Sequence, residues 1–359
     1  MEFHPAAAAA SLDTPALDDS VRIDDGAVWI LDRRVFPGSV EWVRADTAVD
    51  VADAIRAMVT QSSGPLFAAA AGMELAASQA AGLPLDIARD TLIQAGEALT
   101  SARPTNIHPH EAVDAVLAAI TVATTTAELV EIATDAARLQ ATRYRARSRA
   151  LGEHAVALLD DGARLLTHCW MDTYLIELVR AATEAGKQFE WVATETRPYL
   201  QGARLTAHTL REMGQRVTLI TDGMGAAALA PGSTLGQIDA LVTAADRVGM
   251  DGSVVNKVGT LGLAVAANAF DVPFYALVQS PDVNAATGAD IVIEQRDPAE
   301  VLSALGHRTA SPIVTDAWYP AFDVTPPRFV SSVVTDRGAF APASLSDYFS
   351  PTSKDTVAS

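Results

Sequence analysis

Two apolar runs, AVWILD at 27–32 and SVEWVRAD at 39–46, flank a Pro37-Gly38 turn and read as a pair of strands. From about residue 48 the apolar spacing lengthens to the helical period. TAVDVADAIRAMV places Val51, Ala54, Ile55 and Met58 on one face, and Thr47 or Asp50 supplies the N-cap. Alanine-rich helical segments follow at about 66–81, 84–100 and 110–125, then a long one over about 126–159. This half is predicted to be a small β-sheet with a helical bundle.

Near residue 160 the pattern changes. ARLLTHC, FEWVATE, VTLITD, ALVTAAD, PFYALV and DIVIE are short β-rich runs, separated by helical stretches such as DTYLIELVRAATEAG and NKVGTLGLAVAANAF. Strands spaced by single helices demand crossover connections and a parallel sheet. The predicted class is α/β, with a Rossmann-like parallel sheet carrying helices on both faces in the C-terminal half. Four segments are expected: a disordered leader at 1–20, a β/helical domain at 21–150, the Rossmann-like domain at 151–345 and a flexible tail at 346–359. Ligands bind beyond the carboxyl ends of such strands. Those ends read Thr167-His168-Cys169, Thr194-Glu195-Thr196-Arg197, Thr221-Asp222 and Ala245-Asp246.

Composition narrows the function. The 359 residues suit two domains, and 49% hydrophobic content supports a sizeable core although aromatics are only 6%. A net charge of −18 without any Lys/Arg block argues against a nucleic-acid partner. It leaves room for a phosphorylated small molecule, which a few local Arg, Lys and N–H groups can hold. One cysteine allows no intrachain disulfide and no Cys-based zinc site, and fits a cytoplasmic protein. The leader has an Ala run but no basic n-region ahead of a long apolar stretch, so no signal peptide is expected. No stretch is long and apolar enough for a membrane span.

Several candidates have ordinary alternatives. A lone cysteine at a buried strand end, such as Cys169, is commonly a small core residue. An aspartate in the position of Asp246 is commonly a turn or helix-cap residue. Gly223-Met224-Gly225-Ala226-Ala227-Ala228 formally fits a dinucleotide fingerprint, but it lies late in the alternating run. An Ala- and Gly-rich chain produces such matches by chance, and no cofactor is expected there.

The strings LGEHAVALLDDGARLLTHC (151–169), TETRPYLQGARLTAHTL (194–210) and AADRVGMDGSVVNKVGTLGLAVAA (244–267) change those odds. With IEQRDPAEV (293–301), YPAFDVTPPRFVSSVVTDRG (319–338), GAVWILDRRVFPGSVEW (26–42) and ARPT (102–105), they resemble one family. It joins methylthioribose-1-phosphate isomerases, ribose-1,5-bisphosphate isomerases and the regulatory subunits of initiation factor two-B. The likeness covers about residues 20–345 and leans toward the first branch.

The resemblance implies conversion of an aldose 1-phosphate to a ketose 1-phosphate without metal or organic cofactor. Asp246 is then the acid that opens the ring, which calls for a pKa raised by burial. Cys169 is its partner at C1/C2, a role that suits a thiol titrating near neutrality or lowered by a positive phosphate site. Whether hydrogen moves as proton or hydride stays open. Arg103, Arg197 and Gln201 match phosphate or sugar contacts, and Asn256 and Lys257 match a substrate-binding pair. Asp222 belongs to a loop that approaches the site. The family also implies a homodimer paired through the Rossmann-like domains.

Two departures touch the substrate. The Val-Arg-Gly-Ala-Pro run of the first branch is replaced by Val59-Thr60-Gln61-Ser62-Ser63-Gly64-Pro65, with no arginine. Loss of one bidentate Arg–phosphate contact costs about 1.5–3 kcal/mol. After the cysteine stands the bulky Trp170-Met171-Asp172-Thr173-Tyr174, with Trp170 placed to reshape the pocket. The expected substrate is 5-methylthioribose 1-phosphate or a related 5-modified pentose 1-phosphate. The alternative is a non-catalytic regulator that binds a sugar phosphate or nucleotide.

Overall fold

The computed structural model describes residues 14–103 and 107–351, arranged in two compact units. One unit is Thr14–Ala146 and the other begins at Arg147.

In the first unit, strands β1 (Val21–Asp24), β2 (Ala27–Leu31) and β3 (Trp42–Ala45) form an antiparallel sheet in that order. Sequence pattern showed β2 and β3 but not β1, whose four residues are mostly exposed and carry little apolar signal. Helix α1 (Ala48–Arg56) opens on a capping box in which both expected residues act. Asp50 N–H donates to Thr47 Oγ1 at 3.2 Å, and Thr47 N–H donates to Asp50 Oδ2 at 2.9 Å. Helices α2 (Gly64–Ala80), α3 (Leu85–Ser101), α4 (His108–Ala119) and α5 (Thr126–Ala157) follow, and α5 runs past the division at 146/147. Glycines let the helices approach. A Cβ on Gly96 of α3 would lie 2.7 Å from Val113 of α4, and one on Gly72 of α2 would lie 3.1 Å from Leu99 of α3.

The expected leader at 1–20 lies outside the described residues as far as residue 13. Beyond it the expectation fails. Leu17 is buried, Asp18 forms an ion pair with Arg145, and Arg145 Nη2 donates to the Asp18 carbonyl at 2.7 Å.

The second unit carries β4 (Arg164–Thr167), α6 (Thr173–Glu184), β5 (Glu190–Thr194), a π turn at Gly202–Thr206 leading into α7 (Ala207–Glu212), and β6 (Arg216–Ile220). Then come α8 (Gly225–Leu229), β7 (Ala240–Ala244), β8 (Arg247–Val248), β9 (Val254–Lys257), α9 (Thr260–Ala269) and β10 (Phe274–Leu277). The chain closes with β11 (Ser303–Ala304), β12 (His307–Arg308), β13 (Phe322–Thr325), β14 (Ser332–Thr335) and β15 (Gly338–Phe340).

Seven strands form one sheet in the order β15-β14-β10-β7-β4-β5-β6, parallel except for β15. Numbered by appearance, the six parallel strands run 3-2-1-4-5-6, the doubly wound order of a Rossmann-like fold. Neighbouring Leu165 and Leu166 on β4 point to opposite faces, and both are fully buried, so both faces are covered. One core joins Leu166, Val192, Leu241, Ala264 and Phe274. A smaller sheet, β13-β9-β8, stands beside the main one.

Two expectations are corrected here. DIVIE is not a sheet strand: Val292 is 80% exposed and only a single bridge, Gln295 to Pro320, is made nearby. SVVT at β14 takes the outer parallel place instead. The tail expected at 346–359 is also ordered at its start. Residues 342–349 form 3₁₀ turns with Leu345 and Tyr348 buried, and Tyr348 donates to Asp336 Oδ1 at 3.0 Å. Residues 352–359 lie outside the described residues.

Candidate active site

The strand order reverses between β4 and β7, which pair side by side and in parallel. Cys169 follows the first of these strands and Asp246 the second, so both close the carboxyl edge where a doubly wound sheet opens a crevice.

Hydroxyl groups fix the cysteine. Cys169 has φ +68°, and both of its backbone polar groups are held by threonines. Its N–H donates to Thr196 Oγ1 at 2.9 Å, and Thr206 Oγ1 donates to its carbonyl. Thr196 Oγ1 lies 3.2 Å from Thr194 Oγ1, which lies 2.6 Å from His168 Nδ1. His168 Nε2 donates to the Val258 carbonyl at 3.0 Å, which assigns Nδ1 as the acceptor of a neutral ring. Burial lowers the His168 pKa and Lys257 adds to it, while the Val258 carbonyl and Asp222 oppose. A chain of hydrogen bonds thus runs from Cys169 across β5 to the end of β9.

The backbone beside it is strained. Thr196 (φ +62°), Leu200 (φ +65°) and Asp172 (φ +52°) also occupy the left-handed region, where each non-glycine residue costs about 1–3 kcal/mol. Asp222 compensates by taking Thr196 N–H on Oδ1 and Arg197 N–H on Oδ2, both at 2.7 Å. A Cβ on Gly202 would strike the Thr194 carbonyl, so only glycine fits the start of the π turn.

Charge around the thiol departs from expectation. Burial pushes the Cys169 thiol up to about 12, Lys257 pulls it down, and Asp246 and Asp222 push it further up. Cys169 is a neutral thiol near pH 7, not one poised near neutrality. Asp246 is exposed rather than buried, because the chain turns outward after its N–H donates to the Val255 carbonyl at 2.9 Å. Its neighbour Arg247 is engaged by Asp282, with Nε 2.6 Å from Oδ2.

The other predicted residues divide. Asn256 and Lys257 lie at the end of β9, not in a solvated first helical turn, and are 3% and 8% exposed. Lys257 Nζ donates to the Ala321 carbonyl at 2.9 Å and sits 4.5 Å from the centre of the Phe322 ring. Arg197 donates from Nη1 to the Ser303 carbonyl at 2.9 Å and from Nη2 to the Val301 carbonyl at 3.0 Å. Its guanidinium thereby tethers the chain at 301–303. Gln201 is buried just ahead of the π turn, and Trp170, Met171 and Tyr174 are buried after the cysteine. Arg103 belongs to the first unit, half-buried after α3, and Pro104 and Thr105 of its ARPT string lie outside the described residues.

Sequence reasoning missed several groups. Thr194, Thr196 and Thr206 stood inside the matching strings without a role. Burial and Glu300 raise the Tyr319 hydroxyl far above its ordinary range, and the Cys169 thiol is among the groups acting on it. In the first unit, the turn without its arginine rests on another one. Arg33 is 1% exposed, donating from Nη1 to the Gln61 carbonyl at 2.8 Å and from Nη2 to Ser20 Oγ at 2.9 Å. Gly225, part of the apparent dinucleotide fingerprint, packs α8 onto α9, since a Cβ there would strike Leu263. Among the described residues no group of three or more His, Cys, Asp or Glu is placed to hold a metal ion. No helix among them is long and apolar enough to cross a membrane.

Comparison with known proteins supplies the relatives. Methylthioribose-1-phosphate isomerase of Chloroflexus aurantiacus is 38% identical over 335 residues, 90% of this chain and 95% of that protein. The 5-deoxyribose 1-phosphate isomerase of Moorella thermoacetica is 36% identical over 89% of this chain and 93% of its own length. Among crystal structures, 5-methylthioribose 1-phosphate isomerase from Pyrococcus horikoshii matches with TM-score 0.82 and 29% identity, covering 92% of this chain and 94% of that one. The translation initiation factor eIF-2B subunit delta from A. fulgidus matches with TM-score 0.79 and 32% identity over 90% and 96%. The family model matches residues 58–342, and with these relatives it shows that the chain belongs to the initiation factor 2 subunit family.

Proposed function

We propose that this chain converts a 5-modified pentose 1-phosphate into the corresponding ketose 1-phosphate, with Asp246 and Cys169 at the reacting carbons. The observation that carries this is their placement: they close adjacent parallel strands at the reversal of strand order. The isomerase relatives supply the reaction class.

A sugar phosphorylated at C1 cannot open as a free hemiacetal does. Asp246, in its acid form, protonates the ring oxygen as the C1–O bond breaks. Hydrogen then moves with its electron pair from C2 to C1, and the C2 hydroxyl returns a proton to Asp246 as it becomes the carbonyl. Atoms and electrons balance within the substrate, so no outside oxidant or reductant is required. A thiol held up at about 12 is a poor base for a C2 proton, which favours this hydride route over a proton-transfer route. Cys169 then acts as a neutral wall beside C1 and C2 that keeps water from the oxocarbenium carbon. Asp246 stands exposed at its strand end, open to an arriving sugar.

Trp170, Met171 and Tyr174 are buried after the cysteine, and the two sugars to be distinguished are 5-deoxyribose 1-phosphate and 5-methylthioribose 1-phosphate, the substrates named for the isomerase relatives. The test is turnover of both sugars in H₂O and D₂O. Ketose formation without solvent deuterium at C1 is the expected result, and deuterium at C1 would exclude the hydride route. Tight binding of either sugar with no turnover would replace the isomerase with a regulatory binding protein.

A further inference from the structure

Ala321 and the first two residues of β13, Phe322 and Asp323, hold the strand that carries Asn256 and Lys257. The antiparallel register sets Phe322 opposite Lys257 and Asp323 opposite Asn256. Ala321 accepts from the Lys257 ammonium and Phe322 offers it a ring face. Asp323 acts one step further on. Helix α9 has ten residues and begins after Gly259, which has no side chain to satisfy the first N–H groups. Asp323 reaches across and does so, taking Gly259 N–H on Oδ2 at 2.7 Å and Leu261 N–H on Oδ1 at 3.1 Å. Gly259 itself has φ +111°, and a Cβ there would lie 2.9 Å from His168 Cε1 and Nε2. One carboxylate therefore fixes the end of β9, the start of α9 and the glycine packed on His168.

We infer that Asp323 is a positioning residue for substrate binding, setting where the Lys257 ammonium and Asn256 amide meet the sugar phosphate. The inference rests on the isomerase reading above for its ligand. It has a direct consequence for phosphate binding. The positive end of α9 is already matched by a carboxylate, so the phosphate relies on Lys257 and not on the helix terminus.

The arrangement is sensitive to pH. Burial holds the Asp323 carboxyl up at about 6, against the pull of the two N–H bonds and Lys257. Lys257 faces it from β9, α9 brings backbone N–H groups, and His168 from the end of β4 is the titratable group across Gly259. Protonation weakens Asp323 as an acceptor, so the turn carrying the Asn-Lys pair loosens as pH falls through about 6.

The test measures binding of 5-deoxyribose 1-phosphate by tryptophan fluorescence from pH 5 to 8.5, for wild type and Asp323→Asn, with turnover in parallel. The ligand's own second ionisation is common to both proteins, so the ratio of their affinities is read. At pH 8 the variant is expected to bind about tenfold more weakly, with kcat within about threefold, and the ratio closes to within about twofold at pH 5. A flat ratio across pH, or tighter binding by the variant at pH 8, overturns the inference. Tighter binding would mean that the Asp323 charge only repels the phosphate. If Asp323→Asn does not fold, wild type decides alone after correction for the fraction of dianionic ligand. A remaining loss of affinity centred near 6 supports the role, and a flat corrected curve overturns it. Binding without turnover sinks the isomerase reading while leaving the ratio decisive for Asp323. Absence of both binding and turnover sinks both.

Discussion

The turn at residues 60–64 and the strand ends around Cys169 both hold irregular backbone inside packed protein, by opposite means. The turn rests on one charge: buried Arg33 donates to the Gln61 carbonyl and to Ser20. The strand ends rest on neutral groups, a run of threonine hydroxyls ending at a neutral histidine, with left-handed residues among them. A buried charge is costly to strip of its partners, so the first device ties local geometry to the stability of its whole unit. Hydroxyl bonds are each worth about 1 kcal/mol net, so the second lets the site change shape with little effect on folding.

That contrast predicts an ordered series of effects. The largest falls at the strand ends and on rate. Asp246→Asn should lower kcat on 5-deoxyribose 1-phosphate by about 10²–10⁴ with an unchanged melting temperature, since the side chain is exposed. A loss smaller than about tenfold removes Asp246 from the acid's role.

Next comes thiol reactivity. With Cys169 at about 12 against an ordinary 9.0, alkylation by iodoacetamide at pH 8 should run about 30- to 100-fold slower than for a free thiol, since the greater nucleophilicity of a more basic thiolate offsets part of its scarcity. Because this pKa is raised on folding, its contribution to stability is present below the ordinary value and is lost as pH rises toward about 12. A fast reaction at pH 8 would restore the thiolate base and with it the proton route.

Arg33→Met tests the other side of the comparison. It removes the Arg33 bonds to the Gln61 carbonyl, which keeps the Gly64 N–H at 2.9 Å, and to the Ser20 hydroxyl, and urea unfolding should show a loss of about 1–3 kcal/mol. Thr196→Gly should move stability less than Arg33→Met. It relieves about 1–2 kcal/mol of left-handed strain and forfeits hydroxyl bonds of similar size, so stability stays within about 1 kcal/mol. Its kcat should nevertheless fall about tenfold. If Thr196→Gly unfolds the protein while Arg33→Met leaves it intact, the contrast between the two regions is reversed.

Much of this was legible in the chain. Short apolar runs and helical spacing located β2, β3, α1 and the alternating strands, because strands covered on both faces are apolar throughout and a helix has one face that must be buried. β1 escaped because VRID is short and mostly exposed, and DIVIE misled because an apolar run need not find a partner strand. The positions of Cys169 and Asp246 followed from strand ends, but their electrostatics did not. Whether a half-buried thiol feels two carboxylates depends on β6 and β7 as much as on its own string. Arg33 and Asp323 were invisible for the same reason, since each acts on backbone groups 28 or about 60 positions away. The threonines carried a weak signal in their repeated placement at strand ends.

The position of β7 has a consequence for how the protein is made. β4, β5 and β6 emerge in order and can pair as they appear, leaving the other flank of β4 with bare N–H and C=O groups. Only when residues 240–244 dock there is that flank sealed, and the same event carries the segment of Asp246 to the carboxyl edge that Cys169 also closes. A nascent chain halted before residue 240 is therefore both inert and sticky. The open edge then passes to β7 itself and is covered in turn by β10 and β14, so chaperone demand during synthesis should persist until residues 332–335 have emerged.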